Sequence, residues 1–410
     1  MMNLLATAAE VWETIGGIAL AIVILLAMVT IHEFGHYLAG KILGFKITEF
    51  SVGFGPAILK KRSKRTGELF ALRIIPLGGY CAFDGEDFEE EGQTPPQAEP
   101  FEETQNEAAV YEVSEPQTES KTDEYPEPKG AKFTDQPPWK RIIVLVSGAI
   151  MNYLLALVLL IIMTATYGVP MCIAMPANYT NDQAQSVPHA AWDEPALSAR
   201  DVLLEIDGVE IAMITDCIDA LKGKSAGETV SATVLRYAGE EKGWQEKEVT
   251  LTLLADGEFE DIADVEKIKT VAGISVWTTT MRRDFWHTIG GAFAYSGEMA
   301  TSVLRTLGEL LTGGIGMEAV GGPVSTITMT AQAATASPFS FLYIASFIGV
   351  NLAVFNLLPV PALDGCKVIF CIIEWIRKKP VNRKVETIIH FVGIVALLGF
   401  AILVDLLKLF

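Results

Sequence analysis

Two histidines four residues apart, with a glutamate directly after the first, are the residues of this chain best suited to chemistry: His32-Glu33-Phe34-Gly35-His36. Residues four apart share a helical face, so both imidazoles can be presented to one metal ion while Glu33 stands beside them. Neutral imidazoles suit Zn²⁺, three protein ligands leave a fourth position for water, and the metal brings that water's pKa down toward about 7. Glu33 is then the expected general base and proton shuttle of a hydrolysis. Placement sharpens the reading, because the pentapeptide closes an apolar run. A carboxylate in hydrocarbon costs on the order of 2.5 kcal/mol or more, and an ionisable side chain there marks a functional site.

A third ligand must come from another segment at the same depth. Asp364 is the candidate, in Asn356-Leu357-Leu358-Pro359-Val360-Pro361-Ala362-Leu363-Asp364-Gly365 at the end of another apolar run. The two prolines break backbone hydrogen bonding where a polar residue must turn toward a neighbour. Between the first two apolar runs, residues 50–59 and 69–82 alternate in the manner of strands around a basic turn at 60–67. A hairpin is predicted, dipping toward the site, and its free edge would hold an extended substrate by main-chain hydrogen bonds. Ile74, Ile75, Pro76, Leu77, Gly78 and Gly79 are the expected substrate-binding residues there, with Asn152 in the second apolar run.

These residues need a membrane scaffold. Half of the 410 residues are apolar, gathered in runs at 15–39, 142–167, 341–363 and 388–407, each long enough to cross about 30 Å of hydrocarbon. The first run has no basic leader and no small-residue cleavage site, so it is expected to be retained. Lysines and arginines cluster after the first run (Lys41, Lys46, Lys60, Lys61), before the second (Lys140, Arg141) and after the third (Arg377, Lys378, Lys379). Those flanks should be cytoplasmic, which puts 170–338 on the other side.

The net charge of −19 is concentrated: residues 86–127 carry fifteen acids against Lys121 alone. With its Pro, Gln and Thr, that stretch reads as a disordered insertion outside the core. Residues 178–277 hold alternating segments between glycine turns and predict a small mixed module of strands and helix. In 284–312, apolar residues recur at helical spacing among Gly, Ser, Glu and Arg, which suits a helix lying on the membrane surface. Cys81, Cys172, Cys217, Cys366 and Cys371 are scattered singly, against both a disulfide framework and a cysteine metal knuckle. His189, His287 and His390 lack a partner at useful spacing.

Assembled, these motifs make the chain resemble the bacterial site-2 proteases, the intramembrane zinc metalloproteases that include the regulator-of-sigma proteases. The zinc motif at 32–36 and the Asn-x-x-Pro-x-Pro-x-Leu-Asp-Gly motif at 356–365 carry the likeness, with weaker matches at 50–55, 75–80 and 321–323 with its following helix. It implies that His32, His36 and Asp364 bind one Zn²⁺ per chain, that Glu33 is catalytic and that Asn356 helps hold an unwound substrate. It also implies that the external module is PDZ-like, with Arg200 where a glycine is usual, and that Gly148-Ala149-Ile150-Met151-Asn152 lacks the usual proline.

The expected fold class is an α-helical membrane protein with four transmembrane helices, a membrane-associated β-hairpin and an extracytoplasmic PDZ-like α+β domain. Its parts are the first helix (1–40), the hairpin (41–83), the acidic insertion (84–137), the second helix (138–168), the PDZ-like domain (169–280), a surface helix and linker (281–338), the third helix with its Asp (339–376) and the fourth (386–410). Expected partners are single-span membrane proteins and the lipid bilayer, with no nucleic acid. A non-catalytic adaptor would show a broken metal set, a metal transporter would need ionisable residues through several helices, and a membrane-anchored zincin acting on soluble proteins differs by the depth of its site.

Overall fold

The first apolar run folds as helix α1 (Ala8–Leu43), a continuous 36 residues with Lys41 in its last turn. In the computed structural model the described residues are 8–86, 125–176, 179–180, 186–187, 200–239, 241–259, 264–282, 284–313 and 321–407. Among them, four helices are long and apolar enough to cross a membrane: α1 over Thr14–Leu43, α2 (Pro138–Tyr167), α7 (Pro338–Leu357) and α9 (Arg383–Leu407). α2 is central, packed by α1 on one side and α7 on another. Glycines set the spacing. A Cβ on Gly35 would stand 2.5 Å from the Ser147 carbonyl oxygen, and one on Gly349 of α7 would stand 2.9 Å from the Ala156 methyl. Small residues at such crossings let apolar helices gain van der Waals contact without a hydrophobic driving force.

β1 (Ile47–Arg62) and β2 (Leu69–Phe83) pair antiparallel but do not lie flat. Residues 49–52 pair with both the start and the end of β2, as in Ser51 with Ala71 and with Tyr80, so the two strands curl into four short segments. Arg73 locks the curl: it donates to Ser51 Oγ (2.8 Å), the Gly55 carbonyl (2.6 Å), Glu49 (2.6 Å) and the Tyr80 hydroxyl (2.7 Å). Tyr80 in turn donates to Glu49 at 2.8 Å, and burial followed by that carboxylate pushes its phenol pKa up. The buried Glu68 ties the turn to α1 through Lys41 and the Tyr37 hydroxyl. Phe45, Ile47, Phe83, Phe133, Val144 and Leu145 form the apolar root.

The sheet of the next unit runs β10-β3-β6-β8-β9, all antiparallel, with β7 (Val209–Glu210) beside β6. Its strands are β3 (Val169–Pro176), β6 (Asp201–Ile206), β8 (Thr229–Tyr237), β9 (Trp244–Thr252) and β10 (Ile274–Met281), and a short ladder joins β4 (Tyr179–Thr180) to β5 (Ser186–Val187). Helices α3 (Ile214–Leu221) and α4 (Lys267–Ala272) close the core of Leu203, Ile206, Ile218, Leu221, Leu251, Ile268 and Ile274. Because β10 pairs along all of β3, with Met281 opposite Val169, the unit leaves the chain where it entered, at the end of α2.

The structure corrects two expectations. The third helix does not continue through 376: α7 stops at Leu357 and α8 (Asp364–Arg377) begins anew. Pro359 and Pro361 lack the N–H a helix interior needs and disfavour helix in the residues before them. The insertion is shorter than 84–137, since Lys46 N–H bonds the Ala131 carbonyl (2.9 Å) and Phe133 N–H bonds that of Asp84 (2.7 Å); its acid-rich middle, 87–124, lies outside the described residues. Phe133 is the apolar anchor that brings the chain back. The helix expected over 284–312 is α5 (Phe285–Thr312), whose Ala292, Tyr295 and Met299 pack on Leu157, Leu160, Met163 and Val350. The helix that follows Gly321-Gly322-Pro323 is α6 (Pro323–Ala336), which lays Ala331 against Gly17 of α1, and Asp405 of α9 accepts from the N–H of Val324 at its start (3.0 Å).

Candidate metal centre

His32 and His36 stand one turn apart on α1 with their Nε2 atoms 3.0 Å from each other. Asp364, 332 residues away in sequence from His32, brings Oδ2 to 2.9 Å from His32 Nε2 and 3.3 Å from His36 Nε2. Donors about 2.0–2.1 Å from a tetrahedral zinc stand about 3.3 Å from one another, so this set fits the ion and leaves a fourth position open. Both imidazoles are buried, at 8% and 7% exposure, and Asp364 is half-buried.

Asp364 reaches that point because it opens α8 after the proline break. The turn before it is held tightly: Leu363 N–H bonds the Val360 carbonyl, and Ala362, at φ +82, donates its N–H to Nδ1 of His390 on α9 (3.1 Å). Gly365 has no alternative, since a Cβ there would meet the Leu357 and Leu358 carbonyls. His287 instead bonds Asp284 at the start of α5, and His189 lies outside the described residues.

α2 supports the pair of imidazoles with a feature sequence reading missed. His36 Nδ1–H donates to the Val144 carbonyl at 2.8 Å, which leaves Nε2 with its lone pair toward the metal position. Four residues on, a Cβ on Gly148 would stand 2.6 Å from His36 Nε2 and 2.7 Å from His32 Cε1. Another four on, the Asn152 amide lies 3.4 Å from His32 Nδ1. Asn152 therefore stands beside His32, on the side of the ring away from His36 and Asp364. The i, i+4, i+8 spacing of 144, 148 and 152 was a visible signal, but a backbone carbonyl has none.

Glu33, His36 and Asp364 open into a cavity of about 250 Å³, also lined by Tyr80, Cys81, Val144 and Leu145 and bordered by Glu86 and Lys367, which pair at 2.8 Å. The backbone of Cys81 hydrogen-bonds the Glu33 carboxylate, and a Cβ on Gly79 would stand 3.4 Å from Glu33 Cγ. Residues 79–82 of β2, paired with β1 on one side only, are thus the part of the hairpin nearest Glu33. Ile74 and Ile75 are exposed farther along β2, next to Pro76, and Gly78 lies under the Phe54 ring. Asn356 is half-buried in the last turn of α7.

A His-His-carboxylate set with a glutamate between its histidines, on an apolar helix bundle, defines a zinc metallopeptidase of the membrane. Residues 20–400 match the model of peptidase family M50, and the chain belongs to that family, the site-2 proteases, with Zn²⁺ as cofactor. The regulator of sigma-W protease RasP of Bacillus subtilis is 27% identical over 440 residues, covering 95% of this chain and 98% of its own. The zinc metalloproteases RasP of Bacillus licheniformis and Geobacillus kaustophilus are each 25% identical, covering 95% and 97% of this chain and 98% and 99% of theirs.

Proposed function

We propose that the chain hydrolyses peptide bonds within or near the transmembrane segment of single-span membrane proteins, using His32, His36 and Asp364 as ligands of one zinc and Glu33 as the catalytic base. The carrying observation is the convergence of Asp364 Oδ2 on two imidazole nitrogens inside the apolar stretch Thr14–Leu43. When bound, zinc supplies Lewis acidity, lowering the pKa of water and polarising the scissile carbonyl. Glu33 takes a proton from the attacking water and delivers it to the leaving nitrogen as the C–N bond breaks. The apolar walls of the bundle keep bulk water from the site, which strengthens each electrostatic contact in it.

The substrate must present an extended backbone. The free edge at 79–82 beside Glu33 supports strand addition there, with Ile74 to Leu77 guiding the chain farther out and Asn356 holding its unwound end. The antiparallel sheet with α3 and α4 supports a PDZ-like domain, and Arg200 holds the left-handed φ of +71 that glycine favours. Its side chain at that turn favours a gate that admits already trimmed substrates over capture of peptide termini. Basic residues flanking α1, α2 and α8 support a zinc side facing the cytoplasm of a bacterial cell membrane and a sheet domain outside. Anti-sigma factors and remnant signal peptides have the required single-span form.

The test is cleavage of a single-span substrate in detergent alongside zinc content. The parent is expected to hold about one zinc and cut; Glu33→Gln keeps the metal and does not cut. Cleavage by Glu33→Gln at the parent's rate would end this reading.

A further inference from the structure

We propose that Asn152 is a positioning residue of the metal centre: its side-chain carbonyl accepts from His32 Nδ1–H and holds the tautomer whose Nε2 lone pair faces His36 and Asp364. The proposal rests on the reading of His32 as a zinc ligand. Asn152 is 1% exposed and its amide nitrogen lies 3.4 Å from His32 Nδ1, while its Oδ1 is buried without a partner. That pairing conflicts with metal binding. If Nε2 gives its lone pair to a metal, a neutral imidazole carries its proton on Nδ1, so an amide N–H₂ there would set donor against donor. Amide oxygen and nitrogen are nearly isosteric, and half a turn of the group puts Oδ1 on Nδ1–H. The same rotation gives the carbonyl the partner it lacked and moves the amide N–H₂ to the place the oxygen held.

The other ligand shows the pattern. His36 has its Nδ1–H on the Val144 carbonyl at 2.8 Å, also from α2 and two turns before Asn152. One face of α2 therefore supplies an acceptor to each imidazole, with Gly148 between them leaving room for both rings. Acceptors behind a metal-bound histidine fix its orientation and raise its basicity, and their loss costs about 10- to 100-fold in metal affinity.

Zinc affinity, read by competition with a chelator on the full chain in detergent, separates this role from substrate binding. Asn152→Leu, similar in volume and without an acceptor, should bind zinc about 10- to 100-fold more weakly, whereas Asn152→Asp, which keeps the acceptor, should bind as the parent does or tighter. KM at saturating zinc should be unchanged in both. Asn152→Ala provides a second acceptor-free variant if the leucine form does not fold. Parent-like zinc affinity in the folded Leu or Ala form overturns the proposal, as does an Asp form as weak as the Leu form, or intact zinc with a raised KM. A parent that binds no zinc overturns the zinc centre itself, and a parent that binds zinc beside an unaffected Leu variant overturns only the role of Asn152.

Discussion

Gly148 of α2 lies so close to His36 of α1 that a Cβ on it would stand 2.6 Å from the ring's Nε2. Real Cβ atoms do not approach so near, and the atom met is the candidate ligand nitrogen of a buried ring. Gly148→Ala should therefore displace the imidazole, weakening zinc binding about tenfold or more while the helices remain folded. Chelator competition with circular dichroism on the same samples checks both halves; an alanine variant that binds zinc like the parent would refute the close approach.

His390 braces the turn that aims Asp364. Removing its ring leaves the Ala362 N–H without its acceptor, at a cost of about 1–3 kcal/mol. His390→Leu should lower the thermal midpoint by several degrees and reduce zinc affinity, and His390→Asn, which keeps an acceptor near Nδ1, should recover part of both. Differential scanning calorimetry of the zinc-loaded forms is the measurement.

Arg73 bridges Ser51, Gly55, Glu49 and Tyr80 and so holds 79–82 beside Glu33. Arg73→Met should leave zinc content at the parent level and lower kcat/KM by on the order of tenfold or more, because a small misplacement of the substrate-holding strand is costly. Steady-state kinetics with a single-span substrate decides it, and unchanged kinetics would remove the hairpin from substrate positioning.

Much of this centre was legible before any fold was known. His32, Glu33 and His36 are one local motif on one helix face, and Asp364 was found because Pro359 and Pro361 announce a turn where an apolar run ends. The same prolines end α7 at Leu357, so the expected third segment, 339–376, divides into α7 and α8. What could not be read were relations between segments. The Val144 carbonyl has no signature in sequence, and the double pairing of 49–52 depends on strand register, so the strand edge facing Glu33 fell at 79–82 and not from Ile74 onward. A helix was expected after Gly321-Gly322-Pro323, but not its packing partner, a glycine far away on α1.

Asp216 joins the sheet domain to the helix bundle. Its buried carboxylate accepts from the N–H groups of Ala212 (3.0 Å) and Met213 (2.7 Å) and pairs with Arg305 of α5, which also meets Asp219. Asp216→Ala strips two backbone donors and should destabilise α3 by about 2 kcal/mol. Arg305→Met removes a partly exposed cation and should cost about 1 kcal/mol or less. Hydrogen exchange of α3 and β7 amides, read by mass spectrometry on the full chain, should rise far more for the first variant than for the second.

If residues of α1 and the start of α8 complete one metal site, zinc X-ray absorption on the purified chain reads the ligand set itself. The expected result is about one zinc per chain with nitrogen and oxygen ligands only, near 2.0–2.2 Å, two of them imidazole, and loss of one oxygen scatterer or of the metal in Asp364→Ala. A sulfur shell near 2.3 Å, or a parent spectrum unchanged in Asp364→Ala, would contradict it.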